Sequence, residues 1–530
     1  MIMENLAILV ILSFVFISII ITDNLAILVI VSFVFVTIIH HILKSKLGTK
    51  THKSTKFPPG PKPLPIIGNI LELGNQPHKE LAKLSQTYGP IMTLKLGNIT
   101  TIVISSPMLA KQVLQIYDQN FSHRTIPDTV KVLDHHLYSV GWLPSSSPQW
   151  RILRRVCATR VFSPQQLDST QVLRQKTLHE LMNFVKEKSV KDEVLNIGET
   201  CFTTILNSVS NTFFSVNVAH YGESCKSQEF KDIIWGIGEE SGRPNVVDFF
   251  PIFRFLDPQG ARARMTKHTE KLIEFVDGLT EERLKSRALE KDTTNKRCND
   301  VLDSILDVML EENSQVTRLH VLHLFLILFM AGVDSTSITI EWTMTELLRN
   351  PEKLRKLREE LQCVLGKGEQ VLEESHISKL PYLRAVVKET LRMHPPAPLL
   401  APHKASEDAE ISGFMIRKDT QVWVNIWAMG KDSSVWENPN EFMPERFLDS
   451  KIDIHGRDFE LLPFGAGRRM CPGLPLAYRS VHVVLASLLN GYDWKLPNGE
   501  DSKDLDMSER FGLTLHKAQP LQAIPIKSQQ

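Results

Sequence analysis

The stretch Arg318 to Asn350 limits the fold more than any other part of the chain. Apolar residues recur through it at helical spacing. Its first half, Val321-Leu-His-Leu-Phe-Leu-Ile-Leu-Phe-Met330, is hydrophobic on nearly every side. A helix apolar all round cannot lie on a surface and has to sit at the centre of a large body. The chain has 530 residues, 42% of them hydrophobic, which is enough to build that body. The apolar run is followed by Ala331-Gly332-Val333-Asp334-Ser335-Thr336-Ser337. One reading ends a helix at Gly332 and caps a second with Asp334 or Ser335. The other keeps one helix with a groove: Gly332 admits a ligand close to the backbone, and a hydroxyl competes for a backbone carbonyl and locally opens the helix.

A second constraint is Pro463-Phe-Gly-Ala-Gly-Arg-Arg-Met-Cys-Pro-Gly473, followed by an apolar run from Leu474 to Leu489. The glycines let backbone approach something flat or bulky, and Pro472-Gly473 leads into a helix. A cysteine at a helix N-terminus beside arginine is expected as thiolate, because positive charge and the helix dipole favour the anion. With no second Cys or His beside it, Cys471 is a poor zinc ligand but suits the single axial thiolate of a haem iron. The bland alternative is a buried cysteine beside a tight turn.

The remaining chain reads as mostly helix with a smaller β region. Ile91 to Ile104 alternates around Gly97-Asn98 and predicts a hairpin. Helical periodicity covers about Pro107–Tyr117, Pro148–Val161, Pro164–Glu187, Ile197–Phe214 and Met265–Leu289. Lys291 to Asp300 is charged and polar, a surface loop. Ile411 to Val424 is strand-like, with turns at Gly413 and Asp419. The six cysteines are scattered without paired spacing, which fits a reducing compartment. A net charge of +1 gives no reason to expect nucleic acid.

Residues 5 to 43 are almost wholly apolar and contain a tandem repeat, Asn5-LAILVILSFVFISI-Ile20 and Asn24-LAILVIVSFVFVTI-Ile39. As one helix this run is nearly twice the roughly 30 Å of a bilayer core, at about 1.5 Å per residue. Either two spans form a hairpin or one copy is redundant; a single working span is favoured because the Asp23 turn is very short. No small-residue cleavage site follows either copy, which disfavours a signal peptide. Lys44, Lys46, Lys50, Lys53 and Lys56 then put the following chain on the cytosolic side. Phe57 to Asn69 is too rich in proline for helix or inner strand and reads as a stiff connector. The expected organisation is an anchor over 1–43, a basic linker and proline-rich hinge over 44–69, and one large domain over 70–530.

Phe464, Gly467, Arg469, Cys471 and Gly473 fill Phe-x-x-Gly-x-Arg-x-Cys-x-Gly, which resembles the haem-binding loop of the cytochrome P-450 superfamily. Asp334-Ser335-Thr336 resembles its oxygen-binding helix motif, except that the usual first threonine is Ser335; the hydroxyl is kept and the β-methyl lost. Glu389, Arg392 and Arg446 resemble its structural triad. Trp150 and Arg154 resemble its Trp-x-x-x-Arg helix, and the hinge resembles that of microsomal members. The segments Leu380–Pro396, Val435–Pro439, Gly456–Leu461 and Phe511–Leu515 are similar to the plant group containing geraniol 8-hydroxylase. That group oxidises monoterpenols, some diterpenes and other small plant metabolites, and related alkaloid hydroxylases share many of its motifs.

The resemblance implies a mainly α cytochrome P-450 fold with a smaller β region, anchored on the cytosolic face of the endoplasmic reticulum. It implies haem b ligated by Cys471, with Trp150 and Arg154 donating to a propionate and His403 a further propionate contact. Asp334, Ser335 and Thr336 would be the catalytic acid and alcohols. Electrons would come from NADPH through a separate NADPH-cytochrome reductase, since the chain has no flavin or nicotinamide fingerprint. Arg151, Arg154, Arg155 and Arg468 would form part of its docking face. The expected reaction is hydroxylation of a small apolar terpenoid, with an alkaloid or phenolic substrate as the alternative. Substrate contacts map to Phe121–Trp142, Phe325–Thr336, Ala397–Ala401 and Arg510–Leu515, and Asp128, Asp134, His135 and His136 are candidate partners for a substrate hydroxyl. Two other classes compete: a haem-thiolate isomerase or dehydratase needing no reductase, and a non-catalytic membrane scaffold.

Overall fold

The computed structural model describes residues 57–528, apart from 223–224, 290–297, 367–371 and 500. The expected anchor, the basic linker up to Lys56 and most of the 291–300 loop lie outside the described residues. The principal helices are α1 (Pro77–Tyr88), α2 (Pro148–Val156), α3 (Gln171–Val190), α4 (Ile197–Phe214), α5 (Cys225–Gly242) and α6 (Ala261–Leu289). They continue with α7 (Val301–Leu310), α8 (Arg318–Arg349), α9 (Pro351–Leu365), α10 (Pro381–Met393) and α11 (Leu474–Gly491).

Helix α8 is the axis of the protein. Thr317 and His320 cap its start reciprocally, side chain to backbone in both directions, and Asn350 ends it before Pro351. It packs against α4, α6, α10 and α11. Phe325 and Phe329, both fully buried, meet Phe213 and Phe214 of α4 at centroid distances of 4.6–5.8 Å. Each such ring contributes about 1.5–3 kcal/mol by leaving water. Among the described helices, only α8 is long and apolar enough to cross a membrane, but most of it is buried in protein. It remains helical through Ala331–Ser337, so neither a break at Gly332 nor a local opening is present. The hydroxyls of Ser335 and Thr336 donate to the carbonyls of Ala331 and Gly332, each at 2.7 Å, and those oxygens have a lone pair to spare.

The largest part of the β region is a five-stranded sheet, beside a three-stranded sheet and two two-stranded ones among the described residues. Ile91–Leu96 (β1) and Ile99–Ile104 (β2) form the expected hairpin. The other strands are His123–Arg124 (β3), His403–Lys404 (β4) and Gln421–Val424 (β5), in the order β1-β2-β5-β4-β3, with β2 and β5 parallel. Within the 411–424 patch, a small hairpin turns at Ser412-Gly413 before β5 begins. Two predicted helices change pitch at their ends. Pro107–Lys111 runs into a π-helical turn at Gln112–Ile116, and α2 runs into another at Cys157–Val161. The predicted 164–187 helix divides at Thr170, whose hydroxyl bonds back to Gln166 O, and α3 starts beyond it.

Candidate active site

The cysteine loop is shaped by what lies against it. Gly467 has φ +65°, and a Cβ there would fall 1.9 Å from Leu114 O, so only glycine fits. The loop closes on itself where Cys471 N donates to Phe464 O at 2.9 Å. Phe464 packs on the main core, and Cys471 stands immediately before α11. The backbone N–H groups of Gly473 and Leu474 and the nearby Arg154 favour a thiolate at Cys471, and desolvation of the sulfur opposes them. Among the described residues no group of three or more His, Cys, Asp or Glu could hold a metal ion.

Arg469 spans the loop and the first third of the domain, donating from Nε to Ser122 O at 2.7 Å and from its terminal nitrogens to Val140 O and Leu143 O. Its guanidinium lies over the Trp150 ring at 5.0 Å, and Arg154 lies over the same ring at 5.8 Å. Arg124 donates to Ala401 O. His403 is buried on β4 and donates from Nδ1 to Phe121 O at 2.8 Å. Neither Arg124, Arg154 nor Arg469 has a carboxylate partner among the described residues. Burial, with mutual repulsion, pulls Arg469 down to about 9, and burial alone pulls Arg124 to about 10. His403 is held well below its ordinary pKa by burial and by Arg124 and Arg469. Several crowded cations lacking an anion fit a ligand that brings carboxylates, as the two propionates of haem do.

Sequence reasoning missed Arg124. Its signal was a buried cation four residues into a segment read only as a substrate loop. The indole N–H of Trp150 donates to Val140 O at 3.1 Å, and its ring is the plate on which Arg469 and Arg154 rest.

On helix α8, Ala331 is exposed and Gly332 is half-buried. A Cβ on Gly332 would meet nothing within 4 Å. Thr336 is buried, with its proton committed to Gly332 O, and so stands apart from the open face expected for a catalytic alcohol. Asp334 points the other way: its Oδ2 accepts from Thr514 Oγ1 and lies 3.1 Å from His516 Nε2. Asp128 is paired with Arg254, and His135 is buried against His323, so neither is an open partner for a substrate hydroxyl.

Behind the loop, Glu389 and Arg392 of α10 are fully buried and bidentate at 2.7 and 2.8 Å. Arg446 joins Glu389 at 3.1 Å, as does Met443 N at 2.8 Å, and Arg392 also reaches Gly430 O and Pro439 O. Both guanidiniums lie over Trp436. Every charge in this buried network has partners, which is the condition for such a network to hold shape.

The "Cytochrome P450" family model matches residues 58–522. The chain is 50% identical to cytochrome P450 76C2 of Arabidopsis thaliana over 480 residues, covering 90% of this chain and 93% of that protein. It is 49% identical to geraniol 8-hydroxylase of Catharanthus roseus over 476 residues, covering 90% and 95%. A solved zebra fish cytochrome P450, determined with progesterone, superposes with a TM-score of 0.72 at 25% identity, covering 85% of this chain and 99% of that one. The haem-loop thiol, the unpaired guanidiniums and these matches agree: the chain belongs to the cytochrome P450 family and is a haem-thiolate monooxygenase.

Proposed function

We propose that this protein hydroxylates a small apolar terpenoid, a monoterpenol such as geraniol or a diterpene, using NADPH through a separate reductase. The observation that carries the reading is the 49% identity to geraniol 8-hydroxylase across 90% of the chain. The apolar character of the substrate segments supports it. Leu400 comes within 3.8 Å of where a Cβ on Gly465 of the cysteine loop would stand, and Ile327 packs where Gly141 leaves room. Pocket walls of this kind select for apolar bulk, and one methylene changes discrimination by only about 1–3 kcal/mol.

Bound haem activates dioxygen for insertion of one oxygen atom into a substrate C–H bond. Cys471, held by the 464–473 turn, would bind the haem iron. Arg124, Arg154 and Arg469 would pair with the propionates, with His403 beside them as a neutral imidazole. Glu389, Arg392 and Arg446 keep the segment leading to the loop rigid. Asp334 passes protons on through its carboxylate, and Ser335 offers its Oγ to the open face of α8. Thr336 positions rather than reacts. Arg151, Arg155 and Arg468 are exposed and form part of the reductase-docking face, although Arg468 also pairs with Asp118 at 3.2 Å.

Membrane association is supported by a second surface. Leu64, Ile66 and Leu71 are exposed beside the β1–β2 turn, and Ile252, Phe255 and Leu256 are exposed on the segment following it in space. Gly97 N donates to Ile67 O and Asn98 N to Phe249 O, which joins them into one apolar face suited to a bilayer. With the 1–43 anchor this gives a cytosolic domain resting on the endoplasmic reticulum.

A microsomal assay with geraniol, an abietane-type diterpene and a benzylisoquinoline, with product structures, tests the substrate. Turnover of the benzylisoquinoline alone would overturn the terpenoid reading. Cys471→Ser should abolish the thiolate-specific absorbance of the reduced carbon monoxide complex, and a retained band would remove Cys471 from its role.

A further inference from the structure

We propose that His516 passes protons from solvent to Asp334, through a polar cleft behind α8. The proposal rests on the reading that Asp334 supplies protons. His516 lies on the strand Leu515–Lys517, paired antiparallel with Glu509–Phe511. Its Nε2 is 3.1 Å from Asp334 Oδ2 and 2.9 Å from Thr514 Oγ1, and Thr514 Oγ1 also donates to Asp334 Oδ2. Thr514's proton is thus spent on the carboxylate, leaving the hydroxyl oxygen as an acceptor for an N–H at Nε2. His516 Nδ1 has no protein partner among the described residues.

A cleft of about 260 Å³ opens beside these groups, and both Asp334 and His516 line it. That volume holds several waters. Its other charged walls are Glu341 from α8, Lys231 and Asp232 from α5, Glu199 from α4, and Arg510 and Lys517 from the paired strands. Trp235 of α5 packs on the imidazole with centroids 5.5 Å apart, tilted by 53°. An imidazole is suited to this position because one nitrogen can take a proton while the other releases one. A hydronium proton delivered from solvent along the cleft waters binds Nδ1 as the Nε2 proton moves to Asp334 Oδ2, leaving neutral water behind. One proton is transferred, the imidazole ends neutral, and the carboxylate becomes a carboxylic acid. Ring rotation resets the tautomer. His516 acts through Asp334 and is a positioning residue rather than a catalytic one.

The test uses the full-length holoenzyme with its reductase. His516→Gln keeps a donor to Asp334 but cannot relay, so product per NADPH should fall about tenfold, with hydrogen peroxide rising to match. This is below the 10²–10⁴ of a fully positioned general acid because cleft water keeps partial access. The solvent deuterium isotope effect on coupling should also change. A purely structural role predicts wild-type coupling in His516→Gln and loss only in His516→Ala. A readout independent of turnover is the ring-proton NMR spectrum of His516, assigned by its absence in His516→Gln: its resonances should move in Asp334→Asn, because the hydrogen-bonding carboxylate 3.1 Å from Nε2 is gone. Wild-type coupling in His516→Gln with impaired coupling in Asp334→Asn would overturn the proposal alone. Unchanged coupling in both Asp334→Asn and Ser335→Ala would overturn the proton-supply reading beneath it.

Discussion

Two buried histidines make an acid-sensitive latch between the 128–138 segment and α8. His135 Nδ1 meets His323 Nδ1 at 3.0 Å, both residues are at most 5% exposed, and Tyr138 stacks on His323 at 5.3 Å. Burial, with repulsion from neighbouring histidines, pulls His135 down to about 3 and His323 to about 4. Unfolded histidine takes a proton near 6.5. Between that pH and the folded values, the unfolded chain binds protons that the folded one refuses. Stability is therefore complete above about pH 6.5 and falls as the solution is acidified. At about pH 5 the gap is about 1.5 pH units, or about 2 kcal/mol for His135 at 1.36 kcal/mol per unit. That is a large share of a typical 5–15 kcal/mol of stability. His135→Gln keeps a hydrogen-bonding group but removes the titration. Urea unfolding followed by tryptophan fluorescence, near neutral pH and at about pH 5, should show the wild type losing about 2 kcal/mol more than the variant. His403 and His482 remain in both proteins and cancel in the difference. Equal losses would refute the assignment of acid sensitivity to this pair.

Other outcomes follow from the site. Glu389→Gln removes the shared anion from Arg392 and Arg446 and should destabilise by about 3–5 kcal/mol, read as a lower denaturation midpoint and poorer haem retention. Gly467→Ala drives a methyl against Leu114 O and should leave a helical protein, by circular dichroism, with little haem per chain. Arg469→Leu strands the carbonyls of Ser122, Gly141 and Leu143, leaves Val140 O only its Trp150 partner and removes a cation, so haem should exchange to apomyoglobin faster than from wild type. Ser335→Ala should release more peroxide per NADPH consumed, and unchanged coupling would route the protons elsewhere.

The parts of the site that were legible in the sequence are those dictated by local backbone chemistry. The 463–473 loop needs glycine where Leu114 O crowds in, and the all-apolar start of α8 could only be central. The Glu389-Arg392 pair was legible as a helical i,i+3 pair, and its burial was expected only from the family resemblance, not from composition. What stayed hidden depends on partners remote in sequence. Arg124 acquires meaning only beside Ala401 and Arg469, and Asp334 only beside His516, which is 182 residues away. The partner of the Trp150 N–H, Val140 O ten residues earlier, was hidden for the same reason. Thr336 was misread because helix geometry turns adjacent hydroxyls about 100° apart, so one faces the pocket side while its neighbour is buried.

The grip of Arg469 on Ser122, Val140, Gly141 and Leu143 joins segments 326 to 347 residues apart. On a ribosome adding about 5–20 residues per second, the earlier segment emerges roughly 15–70 s before the arginine that ties it down. For that interval the N-terminal wall of the pocket has neither its clasp nor its cysteine. The wall can therefore be clasped only in the finished chain, because the arginine that holds it is made after the segments it joins.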